Sequence, residues 1–394
     1  MKVEEVTILS ARRTPIGAFQ GGLSDLPATR LGTVAAQSAL NRAEVTSEQV
    51  GEVIFGQVLT AGEGQAPARQ VQLNVDIPPD TGALTINKVC GSGLKAAVLG
   101  AQSIMLGDHD CVLVGGMESM SRAPYLAPGA REGFRFGGGE LVDSMIHDGL
   151  WDVHNDFHMG MAAEKLAAEY GISREDQDQF ALESHRKAVD AWENGYFDRE
   201  VVPVDVTTNG ASETVRRDER PRAATSMDAL KELSPAFKNE GTVTPGNASG
   251  ISDGASALVL ASRSFAEKHG LQPCARLTGY ATGGVEPEWV MRAPIRATKH
   301  LHRKTGLSTE DYDLVEMNEA FAAQGCHLLD ELNLSRDTVN VHGGAVALGH
   351  PIGCSGARIL TTLVHALEQH DGKTGLATLC LGGGNGVSMS VERL

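Results

Sequence analysis

Apolar residues along the chain fall into two alternating patterns. Val6-Thr7-Ile8-Leu9 is a short apolar run that stops at Ser10-Ala11-Arg12-Arg13-Thr14-Pro15, which predicts a strand and a turn. Residues 28–41 place Leu31, Ala35 and Ala39 on one face of a helix. Val53-Ile54-Phe55 and Val112-Leu113-Val114 read as buried strands, the second stopped by Gly115-Gly116. Between them Leu94, Ala97, Val98, Ala101, Ile104 and Met105 recur at helical spacing, which predicts a helix from about Ser92 to Leu106.

The C-terminal part repeats this order. Leu314–Met317 is a strand, Ser355-Gly356 opens a helix through Ile359, Leu360, Leu363 and Leu367, and Leu376–Cys380 is a strand stopped by Gly382-Gly383-Gly384. Matching Ser92 with Ser355 gives an offset of 263, and matching Gly115 with Gly382 gives 267. A nearly constant offset implies an internal duplication. The alternation within each half implies mostly parallel sheets covered by helices.

Roughly between 120 and 249 the texture changes. A glycine-rich stretch over 127–139 precedes charged helical segments, one opened by Ser173 and Asp176 as a capping box, and then the basic cluster 216–222. This region reads as a long insertion folding over a site that the halves build.

Composition narrows the class. The chain has 394 residues, 41% hydrophobic and 21% charged, too long for one typical domain and not disordered. A net charge of −16 disfavours nucleic acid and anionic lipid as partners. No run of about 18 apolar residues stands out to span a bilayer. The acidic N-terminus, Met1 to Glu5, leads into a strand and resembles neither a signal nor a transit peptide. Six cysteines without metal or disulfide spacing imply a reducing, cytoplasmic location with thiols free for chemistry.

Cys90 stands at a strand-to-helix junction, in Asn87-Lys88-Val89-Cys90-Gly91-Ser92-Gly93. Free N–H groups at a helix start stabilise a thiolate and should lower its pKa from the usual ~8.5. The alternative is a buried packing cysteine. Gly91-x-Gly93-x-x-Ala96 fits a dinucleotide fingerprint, but the acidic residue that should end the next strand is missing. His350 lies in a glycine-dense loop, Gly343 to Gly353, just before a helix. A metal site of His342, His350 and Cys354 matches no common ligand spacing. Cys380 ends a strand at Leu381-Gly382-Gly383-Gly384-Asn385-Gly386, whose N–H groups suit an oxyanion or serve a plain tight turn.

In order along the chain, Ala11–Gly17, Cys90–Gly93, Gly115–Met120, Asn318–Phe321, Gly349–Pro351 and Cys380–Gly384 resemble the fingerprints of the thiolase family over essentially the whole length. The resemblance implies two duplicated α/β halves in a five-layer αβαβα core with an inserted loop domain. The N-terminal half would be 1–119, completed by about 250–270; the loop domain 120–249 would cover the CoA site; the C-terminal half would be 271–394. Cys90 would carry the acyl group, His350 would take its proton, and Cys380 would move the α-proton. Asn318 would position a water, and the N–H groups of Cys90 and Gly382 would form an oxyanion site. His158 and Met159 would lie beside the pantetheine, Ser249 would bond it, and Arg222 would sit near the nucleotide. The His158–Glu164 segment resembles acetoacetyl-CoA thiolases. No cofactor is held permanently, CoA thioesters are the substrates, and the family implies a homotetramer.

Three positions depart from the family pattern: His342 for Asn, Met317 before Asn318, and Trp289–Pro294 near the acyl pocket. The last two bear on acyl-chain preference. Other readings are a longer-chain 3-ketoacyl-CoA thiolase of β-oxidation, a ketoacyl synthase, which would use one cysteine with two histidines where this chain offers Cys90, Asn318, His350 and Cys380, and an inactive thiolase-like scaffold.

Overall fold

In a computed structural model, residues 4–208 and 211–394 are described. The first three residues of the acidic N-terminal segment lie outside the described residues. The strands are β1 (Val6–Arg13), β2 (Gly17–Ala18), β3 (Glu52–Gly56), β4 (Gly82–Ile86), β5 (Cys111–Ser119), β6 (Tyr125–Leu126), β7 (Val142–Asp143), β8 (Trp151–Asp152), β9 (Phe157–His158), β10 (Val204–Thr208), β11 (Ala211–Val215), β12 (Ser252–Ser262), β13 (Ala275–Gly284), β14 (Leu314–Met317), β15 (Thr374–Leu381) and β16 (Asn385–Arg393). The helices are α1 (Ala28–Ala43), α2 (Pro67–Asn74), α3 (Ser92–Leu106), α4 (Met159–Tyr170), α5 (Arg174–Glu193), α6 (Met227–Lys231), α7 (Arg263–His269), α8 (Ala293–Thr305), α9 (Ala322–Glu331), α10 (Ala345–Leu348) and α11 (Ile352–Gln369).

The main sheet runs β14-β15-β16-β13-β1-β12-β5-β3-β4, with β2 beside β12. Only two residue pairs, Thr7 with Arg276 and Ile8 with Ala275, join β1 to β13. The seam separates two half-sheets of matching order. Outward from the seam, β1-β12-β5-β3-β4 corresponds to β13-β16-β15-β14, which a parallel bridge from Val315 to Val339 extends where β4 would be. The duplication is real in topology.

Side-chain alternation builds the layers. In β5, Val112 and Val114 face α3 and α11, whereas Cys111 and Leu113 face α1 and α2. In the other half, Ala377, Leu379, Val387 and Met389 face α3 and α11, and Leu376 and Met317 face α8 and α9. The result is five layers with α3 and α11 in the middle. These helices touch reciprocally. A Cβ on Gly93 would lie 2.6 Å from the Ala357 nitrogen, and one on Gly356 would lie 2.4 Å from the Leu94 nitrogen. That reciprocity fits the 263 offset, and β5 and β15 begin the same distance apart, at Cys111 and Thr374.

Three expectations are corrected. The sheet is mostly antiparallel: only β3–β4, β3–β5 and β14–β15 pair in parallel, while β1, β12, β13 and β16 run antiparallel to their neighbours. The helix-strand alternation covers only the outer strands of each half. Next, Gly115-Gly116 do not stop a strand and do not match Gly382. They lie inside β5, where a Cβ on Gly116 would meet the Gly353 carbonyl at 2.2 Å. Gly116 admits the start of α11 against the sheet, and Gly115 makes room for Phe55. Finally, Val89–Leu106 is long and apolar enough to cross a membrane by length and composition. It is the buried middle-layer helix α3 and its approach.

The chain between β5 and β12 is anchored to the core by charge. Arg13, fully buried in β1, bonds Glu200 at 2.5 Å and grips Asp218 with two nitrogens at 2.7 and 3.0 Å. Breaking such a buried cluster by removing one partner costs about 3–5 kcal/mol. Helix α5 opens with the predicted box: Ser173 Oγ accepts from the Asp176 N–H at 3.1 Å, and Asp176 accepts from the Ser173 N–H at 3.0 Å. Residues 127–139 are exposed throughout.

Candidate active site

Helix α3 starts at the cavity because the turn before it is forced. Val89 has φ +47°, a conformation a β-branched residue rarely adopts. Ser92 holds that turn: its hydroxyl accepts from the Lys88 N–H and donates to the Val89 carbonyl, both at 2.7 Å. Strain maintained by surrounding bonds is a mark of functional sites. It places Cys90 at the wall of a cavity of about 430 Å³ that His158, Met159, Ser249, His350, Cys380 and Gly382 also line. The N–H groups of Gly382 and of Cys90 itself point at the Cys90 sulfur.

The expected lowering of the Cys90 pKa is overturned. Burial pushes the thiol up to about 11, more than the two N–H groups lower it, and Glu118 adds to the rise. Desolvation of a thiolate outweighs the helix start here. Cys111, Cys274, Cys326 and Cys354 are pushed further, to about 12, and Cys380 higher still by burial and by Cys90. Cys90 therefore remains the most acidic of the six thiols.

His350 reaches the cavity from α11. Gly349, at φ +108°, makes the turn, and a Cβ there would strike the Ser252 hydroxyl at 2.2 Å. The imidazole Nδ1 lies 2.5 Å from the Ser355 hydroxyl, which spends its own hydrogen on the Pro351 carbonyl at 2.9 Å. The hydrogen between ring and serine is then on Nδ1, and Nε2 is left with a free lone pair. Burial, assisted by Arg358, lowers the His350 pKa to about 3, so the ring is neutral. The Asn318 amide nitrogen lies 3.4 Å from Nε2, and Asn318 Oδ1 is buried without a protein partner among the described residues.

Cys380 is buried near the end of β15, beside Gln324, whose Oε1 accepts from the Ala320 N–H at 3.2 Å. His158 is both cap and wall. Its Nδ1 accepts from the Gly160 N–H at 3.0 Å at the start of α4, and its ring stacks on Phe237 at 4.8 Å. Its remaining nitrogen carries a hydrogen. Arg222 does not line the cavity. It is exposed, its backbone N–H donates to His185 and its carbonyl accepts from the Thr225 N–H, both at 3.2 Å. Arg220 lines the wall instead.

The sequence reading missed Val89, Ser355, Gln324 and Phe237. The i, i+4 pair Pro351/Ser355 was available as a signal; the strain at Val89 was not. The dinucleotide-like glycines serve packing: a Cβ on Gly91 would lie 2.1 Å from Leu381. Glu319 also proves structural, accepting from Ser184, Asn340 and the Val346 N–H at 2.7, 2.7 and 3.0 Å. Of the departures, Val290 and Met291 line the cavity, Met317 lies in the outer core, and His342 stacks with Tyr196 and meets His370 at 3.1 Å.

Residues 6–264 match the thiolase N-terminal domain, and 271–393 match the thiolase C-terminal domain. The chain belongs to the thiolase family. It is an acyltransferase with the thiolase fold. An acetyl-CoA acetyltransferase from Chromobacterium violaceum is 51% identical over 99% of this chain and all of its own. One from Cupriavidus necator is 50% identical over 99% of each. The crystal structure of the Bacillus anthracis acetyl-CoA acetyltransferase superposes with a TM-score of 0.98 at 41% identity, and that of human mitochondrial 3-ketoacyl-CoA thiolase with 0.97 at 42%, each over the whole of both chains.

Proposed function

We propose that this thiolase is an acetyl-CoA C-acetyltransferase, joining two acetyl-CoA into acetoacetyl-CoA and CoA, or running the reverse cleavage. Solved thiolases of both kinds superpose equally well, so the fold does not choose the substrate. Full-length relatives near 50% identity named acetyl-CoA acetyltransferase favour the acetyl reading over the longer-chain one. The observation that carries the mechanism is the convergence of Cys90, His350, Cys380 and Gly382 on one cavity.

Two thiols pushed up and one imidazole pushed down are all neutral at rest, so charge arises only with substrate bound. The Cys90 sulfur attacks the acyl carbonyl as its proton passes to His350 Nε2. The oxyanion draws on the N–H groups of Cys90 and Gly382. CoA leaves with the proton from His350, and the acetyl group stays on Cys90 as a thioester. Cys380, having passed its own proton to His350, takes a proton from the methyl carbon of the second acetyl-CoA. The resulting carbanion attacks the thioester and displaces the Cys90 sulfur, to which His350 returns the proton. Asn318 and a water it positions serve the second oxyanion with His350. His158 and Ser249 hold the pantetheine with Met159, and Arg222 waits at the nucleotide end.

Residues 120–249 act in this reading as a loop domain over the CoA site, between halves 1–119 with 250–270 and 271–394. The exposed side chains of Tyr125, Phe134, Phe136 and Leu141, in and beside the 127–139 stretch, support a homotetramer. Comparing kcat/KM for acetoacetyl-CoA with that for longer 3-ketoacyl-CoA substrates tests the assignment. A maximum at medium or long chains would make the enzyme a β-oxidation thiolase.

A further inference from the structure

Glu118, next to last in β5, is fully buried and plays no part in the chemistry above. Its partners are three backbone N–H groups. Oε2 accepts from Gly353 at 2.8 Å and from Val58 at 3.0 Å; Oε1 accepts from Leu59 at 3.1 Å. Gly353 is the second residue of α11, three after His350, and its N–H is one of those a helix start leaves unpaired. Val58 and Leu59 follow β3 and pack with Met120, Met145 and Ile352 around Cys90. One carboxylate thus joins three pieces of the nucleophile's surroundings. A Cβ at Gly353 would lie 2.7 Å from Oε2, so the clamp needs glycine there.

The charges facing this group do not neutralise it. Glu63 repels it, and Cys90 and Cys354 feel its charge as a barrier to their own ionisation. A buried carboxylate without a cation is costly, and a fold that needed only N–H acceptors could use neutral groups. We propose that Glu118 is a positioning residue of acylation: as a carboxylate it holds the 57–59 turn and the first turn of α11 around Cys90. The proposal rests on Cys90 being the acyl carrier. Burial raises the Glu118 pKa to about 7 against the pull of its three N–H donors. Below that pH one oxygen carries a hydrogen and both accept from N–H groups more weakly, so the clamp loosens.

The wild type should therefore show an acid limb of kcat/KM near pH 7. Glu118→Gln removes the charge. In that variant the pH inflection for alkylation of Cys90 by iodoacetamide, followed by mass spectrometry, should fall, and the acid limb should vanish. Glu118→Asp keeps the charge but shortens the reach: acylation should slow by about tenfold while the inflection stays at the wild-type pH. A wild type without an acid limb near pH 7, or a Glu118→Gln enzyme with limb and inflection unmoved, overturns the proposal. The aspartate variant and the wild-type profile decide it if the glutamine variant does not fold. Failure of the underlying assignment looks different, since the acetyl mass would then appear on a cysteine other than Cys90.

Discussion

Both halves of the duplicated fold bring a helix start to the same cavity, and both put the reacting residue immediately before the cap. Cys90 precedes Gly91 at α3, and His350 precedes Pro351 at α11. In each case the residue before it has positive φ, Val89 at +47° and Gly349 at +108°. The placements are alike, although the caps differ, Gly91 at φ −87°, ψ 4° and Pro351 at φ −68°, ψ 102°, and the chemistry is opposite. The sulfur is met by two N–H groups, which suit negative charge. The imidazole is met by a serine that fixes its tautomer and by Arg358, which with burial keeps it uncharged. By the 263 offset Cys90 corresponds to Gly353 rather than to His350, so the duplication supplied two helix starts as platforms at one cavity, and the side chains around each made one a nucleophile and the other a base.

The largest effect should come from removing one platform's group outright. Cys90→Ala should abolish both acylation and condensation. Cys380→Ala should still take up one acetyl group on Cys90, visible by mass. It should then fail at carbon–carbon bond formation and at exchange of the acetyl-CoA methyl protons with deuterated water, by about 10²–10⁴-fold. Loss of acylation in Cys380→Ala as complete as in Cys90→Ala would show that the cysteines do not divide the work this way.

A smaller effect should follow from loosening the other platform. Ser355→Ala leaves His350 in place but frees its tautomer, so part of the ring population turns a hydrogen toward Cys90. Acylation measured in a single turnover should slow by about tenfold, a fraction of the contribution of a general base, with KM little changed. An unchanged rate would mean that another group fixes the ring.

Much of this was legible in the sequence because it rests on local pattern. The limits of α3 and β14, the cap at Ser173, and Cys90 and His350 before helices follow from periodicity and helix-start chemistry. The pairing direction was misread, since strands next to each other in the chain said nothing about β1 and β12, which meet across more than two hundred residues. The Cys90 pKa was misjudged for a related reason: the N–H donors are local and visible, whereas the burial that outweighs them comes from Val58, Met120, Met145 and Ile352, distant in the chain.

Specificity gives a third test, on a wall that neither platform owns. Met291 and Val290 lie in the cavity wall with Ala320 and Phe321, packed against α4 and Cys380. Met291→Ala should open room for a longer acyl chain. The ratio of kcat/KM for a six-carbon over a four-carbon 3-ketoacyl-CoA should rise by about 10-fold, the range of one or two methylenes of pocket. An unaltered ratio would place the chain-length limit elsewhere.

The smallest effect should leave catalysis alone and touch only stability. His342 is buried between Tyr196, at 4.8 Å ring to ring, and His370, at 3.1 Å. Burial lowers its pKa to about 4, with Glu200 opposing and His370, His365 and Arg13 assisting. Between that value and the ordinary 6.5 the unfolded chain takes up a proton there that the folded protein refuses. The stability His342 contributes is thus fully present above pH 6.5 and is lost as pH falls toward 4. His342→Asn has no proton to refuse, so its unfolding free energy should decline less steeply over that window. Relative to the difference at pH 7.5, the variant should gain roughly 1–2 kcal/mol on the wild type at pH 5, whatever it loses in stacking at every pH. Parallel stability curves for the two proteins from pH 7.5 to 5 would show that His342 is already protonated in the fold, and that the contact with His370 carries a charge.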